Sequence, residues 1–128
     1  MTLTRTKAQS IASHLNPEAR AFIGGEFTDA SDKATFETIN PATGAVVARV
    51  AHCTGADVDR AVSAARRVFN DGIWSRADPE DRKAVLLRLA SLVRAHKDEL
   101  AVLESLDSGK TITDCLHEIG NEVANFFQ

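Results

Sequence analysis

The chain has 128 residues, 44% of them hydrophobic and 26% charged, the balance of one ordinary globular domain and not of a disordered polypeptide. Its net charge of −3 gives no electrostatic case for nucleic acid or anionic lipid, and no apolar run approaches the ~20 residues of a membrane span. Cys53 and Cys115 stand in unrelated contexts, which suits free thiols in a reducing cytoplasm, and the basic N-terminal stretch lacks the apolar core of a secretory signal.

Residues 1–20 read as a peripheral arm, in which Ile11, Ala12 and Leu15 supply one or two helical turns closed by Asn16-Pro17. In "AFIGGEFTDA" two short apolar runs flank Gly24-Gly25, the signature of a β-hairpin. A second hairpin is expected in "TFETINPATGAVVARVA", with the turn at Pro41 and Gly44. From Thr54 the period becomes helical. Val58, Ala61, Val62, Ala65, Val68 and Phe69 share one face, Thr54 and Asp57 form a capping-box-like start, and Gly72 ends the helix. Asp78-Pro79 opens the next helix. Its stripe through Val85, Leu89, Leu92 and His96 continues over Leu100, Leu103 and Leu106 to Gly109, predicting one long or kinked helix with His96 part-buried. A third helix starts near Thr113, with Ile112, Leu116, Ile119, Val123 and Phe126 or Phe127 on one side. The open apolar stripe at the end suggests a chain truncated inside a helix. The whole reads as mostly α-helical with short N-terminal β-hairpins.

The motifs that suggest chemistry mostly dissolve on inspection. "LDSGKT" at Leu106–Thr111 resembles the end of a phosphate-binding loop, but the position five before Gly109 is Glu104, and a leucine-rich helix precedes it where a strand is required. Gly109 reads instead as the left-handed helix terminator, with Lys110 beside the negative helix end. His14, His52, His96 and His117 show no metal spacing. Cys53 and Cys115 read as buried structural thiols. Glu118 and Glu122, one turn apart, read as a solvated face. No complete active site emerges.

Together "FIGGEF", "FETINPATGAVVARVA", "ADVDRAVSAARRVFNDGIWS" and "DRKAVLLRLASLVRAHKDELAVLESLDSGK" resemble the N-terminal quarter of an aldehyde dehydrogenase, over residues 21–128. "NPATG" and "LESLDSGK" are the most specific pieces. Within the family the chain is most similar to bacterial enzymes of polyamine catabolism acting on aminoaldehydes, such as γ-glutamyl-γ-aminobutyraldehyde dehydrogenases. The resemblance implies an α/β parent with a Rossmann-like cofactor domain, of which residues 21–128 are the N-terminal part. It implies an oxidoreductase that oxidises an aldehyde to an acid with NAD or NADP through a cysteine nucleophile, and a cytoplasmic homo-oligomer. The family's cysteine, glutamate, oxyanion asparagine and cofactor turn all fall downstream, so no catalytic or cofactor residue is assigned here. The positions matching a sodium or potassium site are Thr38 and Ile39, through the backbone, and Asp107; local capping or pairing is the alternative for Asp107. Glu118 matches an acidic substrate-entrance position of aminoaldehyde enzymes, with Glu122 one turn on. Thr111 replaces the family's usual proline, which leaves the start of the third helix less fixed. The competing reading is a non-catalytic helical interaction module. Alone, the chain is expected to aggregate or stay molten.

Overall fold

The computed structural model describes residues 3–127. In chain order the elements are α1 (Arg5–His14), β1 (Ala21–Ile23), β2 (Glu26–Thr28), β3 (Thr35–Ile39), β4 (Val46–Ala51), α2 (Gly55–Asp71), α3 (Pro79–Ala95), α4 (Lys97–Ser108), α5 (Ile112–His117), a π-helical turn (Glu118–Val123) and α6 (Ala124–Phe126). They fall into two compact units. A hairpin unit comprises Pro17–Thr38 and Val46–Asp78, and a helical unit comprises Met1–Asn16, Ile39–Ala45 and Pro79–Gln128. Among the described residues no helix is long and apolar enough to cross a membrane.

In the hairpin unit, β1 and β2 pair antiparallel with Phe22 opposite Phe27 and Ile23 opposite Glu26. Gly24 and Gly25 have φ of +65° and +95°, the left-handed pair that a two-residue hairpin loop requires. The Phe22 and Phe27 rings lie 5.0 Å apart, a cross-strand pair that fixes the register. Strands β3 and β4 form the second two-stranded sheet. Helix α2 begins after Thr54 and ends at Gly72, whose φ is +76°.

One buried carboxylate organises this unit. Asp57 is 1% exposed. It accepts the Thr54 N–H at 2.8 Å and the Thr54 hydroxyl at 3.0 Å, so the expected helix start is built. It also accepts the Ser31 N–H at 3.1 Å, the Ser31 hydroxyl and the Arg60 guanidinium at 2.8 Å. The Ser31 hydroxyl, then the Thr54 N–H, hold its carboxyl well below the usual carboxylate range against the cost of burial. Helix α2 and the loop ahead of β3 are thereby tied through one side chain.

The helical unit packs by small residues. Ala90, Ala101, Cys115 and Ala124 are fully buried, which lets helix backbones approach closely. Lys7 on α1 donates to Asp98 on α4 at 2.7 Å, and Arg94 on α3 donates to Asn125 on α6 at 2.7 Å. Two expectations change here. The helix expected to be long or kinked is broken at His96 into α3 and α4, the φ and ψ there being −103° and 15°, outside the α region. The break leaves His96 exposed, 3.2 Å from Glu99, so it is not the part-buried histidine of an apolar stripe. The third helix passes through the π-helical turn, which inserts a residue and rotates the remaining turn about the helix axis. Ala124 is therefore buried while Phe126 is 85% exposed, and the anticipated stripe through Val123 and Phe126 does not face a core.

Candidate functional site

The two most specific sequence motifs meet in the helical unit. In "NPATG", Asn40 Oδ1 accepts the Ala42 N–H at 2.9 Å, and the Asn40 carbonyl accepts the Gly44 N–H at 2.8 Å. In "DSGK", Gly109 closes α4 with φ of +75°. A Cβ added to Gly109 would lie 2.7 Å from Pro41 Cγ, inside any tolerable carbon contact. The glycine is thus required twice, for its left-handed backbone and for the proline packed on it.

Lys110 comes next, and its ammonium is not available to a phosphate. Its Nζ lies 2.6 Å from Glu118 and 3.7 Å from Glu104. The hydrogen bond to Glu118 raises the lysine above its ordinary value, with burial opposing. Two carboxylates facing one ammonium leave a net negative cluster, which further argues against a nucleotide loop. The Lys110 carbonyl accepts the Ser105 hydroxyl at 2.7 Å, and the Cys115 thiol lies 4.0 Å from it. Thr111 then caps α5. Its hydroxyl accepts the Asp114 N–H at 3.3 Å and donates to the Asp114 carboxylate at 2.7 Å. The start of this helix is therefore held by a side-chain cap where the family usually has proline.

Cys115 is buried, and burial first, then Glu104, pushes its thiol up; such a thiol is a poor nucleophile. Cys53 is exposed, so the expectation of two buried thiols holds for one only. Glu118 is half-buried in its ion pair, while Glu122 is exposed, 3.5 Å from His117 Nδ1. That second pair spans five positions. An α-helix would point such residues apart, and the π-helical turn brings them together. The two glutamates are not one uniform solvated face.

Thr38 and Ile39 end β3, and Asp107 lies exposed in the last turn of α4. The chain joins the neighbourhoods of Ile39 and Asp107 indirectly, since Pro41, two residues past Ile39, packs on Gly109, two residues past Asp107. Among the described residues no three His, Cys, Asp or Glu side chains gather as a metal site, so any ion here depends on backbone carbonyls. In the hairpin unit an apolar cavity of about 680 Å³ is lined by Phe22, Ile23, Ala61, Val68 and Trp74, with Arg67 its one ionisable side chain. No acid–base pair converges there. The Ser31 link of Asp57 and the Lys110–Glu118 pair escape a reading of the sequence alone, because they join residues 26 and 8 positions apart across a change of element.

The Aldehyde dehydrogenase family profile matches residues 27–128. An aminoacetaldehyde dehydrogenase from Pseudomonas aeruginosa is 52% identical over 115 residues, covering 90% of this chain and 23% of that protein. The NADP/NAD-dependent aldehyde dehydrogenase PuuC of Escherichia coli is 50% identical over 110 residues, covering 86% of this chain and 22% of that protein. The crystal structure of the aldehyde dehydrogenase KauB from Pseudomonas aeruginosa superposes with a TM-score of 0.94 at 42% identity, covering 98% of this chain and 26% of that one. The chain thus spans about a quarter of the length of these three proteins.

Proposed function

The chain belongs to the aldehyde dehydrogenase family, and from that premise we propose that it is the N-terminal part of an NAD(P)-dependent enzyme oxidising an aminoaldehyde to a carboxylic acid, inactive by itself. The observation that carries this reading is the match across residues 27–128 together with the 52% identity to an aminoacetaldehyde dehydrogenase. The NADP/NAD dependence named for the Escherichia coli relative supports the cofactor class. The inactivity is argued from the thiols present. The chemistry needs a cysteine thiolate held beside a base, whereas burial raises the Cys115 thiol, and the exposed Cys53 stands in no nucleophile motif of the family. The parent is read as a cytoplasmic homo-oligomer.

Two roles are proposed for the residues present. Asp107 stands in the last turn of α4, at the negative end of the helix dipole, where a cation is favoured. With the Thr38 and Ile39 carbonyls it offers hard oxygen donors of the kind a sodium or potassium ion takes. Glu118 and Glu122 would attract a cationic amine tail, since Lys110 offsets only one of Glu104 and Glu118, and Glu122 is exposed beyond them. The exposed apolar side chains Val85, Leu92 and Phe126 favour the second reading, a non-catalytic module that binds a partner.

The test has two arms. The purified 128-residue chain, given NAD or NADP and a series of aminoaldehydes, should show no sustained turnover. The DNA beyond codon 128 should continue, in this or a neighbouring frame, into cofactor and nucleophile motifs. Sustained turnover would refute the inactivity; a stop codon with no such motifs beyond it would favour the binding module.

A further inference from the structure

We infer that Lys110 is a specificity-determining residue: it shares the Glu118 carboxylate with the amine of the substrate and so sets how tightly a cationic tail is held. The inference rests on the reading of Glu118 as a substrate-entrance residue and deepens it. Glu118 spends only one of its oxygens on the lysine. Oε2 accepts from the Lys110 ammonium at 2.6 Å, and Oε1 accepts no hydrogen bond among the described residues. An ionised carboxylate accepts on both oxygens, so a second ammonium can be taken at Oε1 without displacing the first. Glu122 stands apart in its own pair, 3.5 Å from His117 Nδ1.

The lysine is fixed at its root. Its amide donates to the Ser108 hydroxyl at 3.2 Å, its carbonyl accepts the Ser105 hydroxyl at 2.7 Å, and Gly109 before it packs on Pro41. From α4, Glu104 faces the same ammonium at 3.7 Å. The hydrogen bond to Glu118 raises Lys110 above its ordinary value, so it stays charged wherever an aliphatic amine does. Two ammonium groups on the two oxygens of one carboxylate stand roughly 5 Å apart and repel. The three side chains are 36–42% exposed, and water screens that repulsion down to about fivefold in affinity. Glu104 acts in the opposite sense: by sharing the lysine, it leaves more of the Glu118 charge to the tail. The amine is untouched when the aldehyde becomes an acid, so its grip is the same on substrate and product. The lysine thus keeps that grip loose enough for release.

The test uses the longer enzyme that continues this chain, with an aminoaldehyde and the neutral aldehyde of equal length that carries methyl in place of the amine. The readout is the KM of the first relative to that of the second. Lys110→Met should lower this ratio about fivefold without raising kcat, because the amine is bound alike in ground and transition states. Lys110→Arg keeps the charge and should hold the ratio within about twofold. Glu104→Gln should raise the ratio about twofold, since the lysine then bears on Glu118 alone. Opposite signs at Lys110 and Glu104 are the mark of a shared charge. A merely structural cluster loosens whichever member is lost, and the ratio then moves the same way for both. In a Glu118→Gln background, Lys110→Met should change the ratio less than about twofold. Should Lys110→Met fail to fold, the sign at Glu104→Gln decides alone. A ratio unmoved or raised by Lys110→Met, or lowered by Glu104→Gln, overturns the proposal while Glu118→Gln alone still raises the ratio. If Glu118→Gln alone leaves the ratio unmoved, or the reading frame continues into no enzyme, the substrate-entrance reading fails and the proposal falls with it.

Discussion

The two units solve the same problem by different means. The hairpin unit, whose strands are short, is tied by one buried carboxylate that accepts from Thr54, Ser31 and Arg60 at once. The helical unit is held by contact, with alanines buried between helices and one turn packed on another through Pro41 and Gly109. A charge-centred unit should fail when its charge is removed, and a contact-centred unit when an atom is added. The same family segment thus contains two differently vulnerable regions.

The largest effect is expected from adding atoms at Gly109. Gly109→Val puts a branched side chain where a Cβ alone would be 2.7 Å from Pro41 Cγ, at a φ of +75°. Backbone strain and overpacking together should cost about 3 kcal/mol or more. Urea unfolding combined with α4 and α5 amide exchange would read it. A loss below ~1 kcal/mol would show that the "NPATG" turn moves freely and that the contact is not what holds this unit.

Removing the charge comes next. Asp57→Ala leaves five donor interactions with Ser31, Thr54 and Arg60 unanswered and should lower the melting temperature by about 10 °C or more. The pH dependence sharpens the comparison. Asp57 is held below its ordinary value in the fold, so its contribution is complete above the unfolded carboxylate range and is lost as pH falls through the folded value. Lys110 is raised, so its contribution is complete below the ordinary lysine range and is lost as pH rises through the folded value. Hydrogen exchange should therefore show the β1–β2 and α2 amides opening first in acid, and the amides around Lys110 opening first in alkali. Simultaneous opening at both extremes would erase the distinction between the units.

Much of the hairpin unit is legible in the sequence because its signals are local. Gly24-Gly25 sets one hairpin, and Thr54 with Asp57 three residues on sets the start of α2. The helical unit is legible only in part. The apolar spacing runs unbroken through His96, so nothing in its period reveals the break there. The π-helical turn at Glu118–Val123 is invisible for a related reason. A stripe read at 3.6 residues per turn has no place for an inserted residue, and the expectations for Val123 and Phe126 fail from that point. At the candidate site, the sequence marks Gly109 correctly as a left-handed terminator, but its contact with Pro41 joins segments 68 positions apart, a distance no local pattern spans. Local spacing points Lys110 at the helix dipole; that Glu118 and Glu104 hold it depends on where α5 turns back.

The smallest expected effects are at Thr111 and Glu118. Thr111→Ala removes the cap on α5 and should cost about 1 kcal/mol, confined to the helical unit. Thr111→Pro should cost less, because the residue has φ of −63° and ψ of 142°, angles proline adopts without strain. Restoring proline would lose the hydroxyl's bonds to Asp114 but restrict the unfolded chain, a gain of about 0.4–1 kcal/mol that partly offsets the loss. If proline proves worse than alanine, the cap is not what fixes this helix. Glu118→Gln in the longer enzyme should raise KM for aminoaldehydes about threefold while leaving neutral aldehydes nearly unchanged, the modest size reflecting Lys110 already shielding that carboxylate. Equal changes for both substrate classes would assign Glu118 wholly to holding Lys110. That outcome would leave the Lys110 cluster of the helical unit as structural as Asp57 is in the hairpin unit.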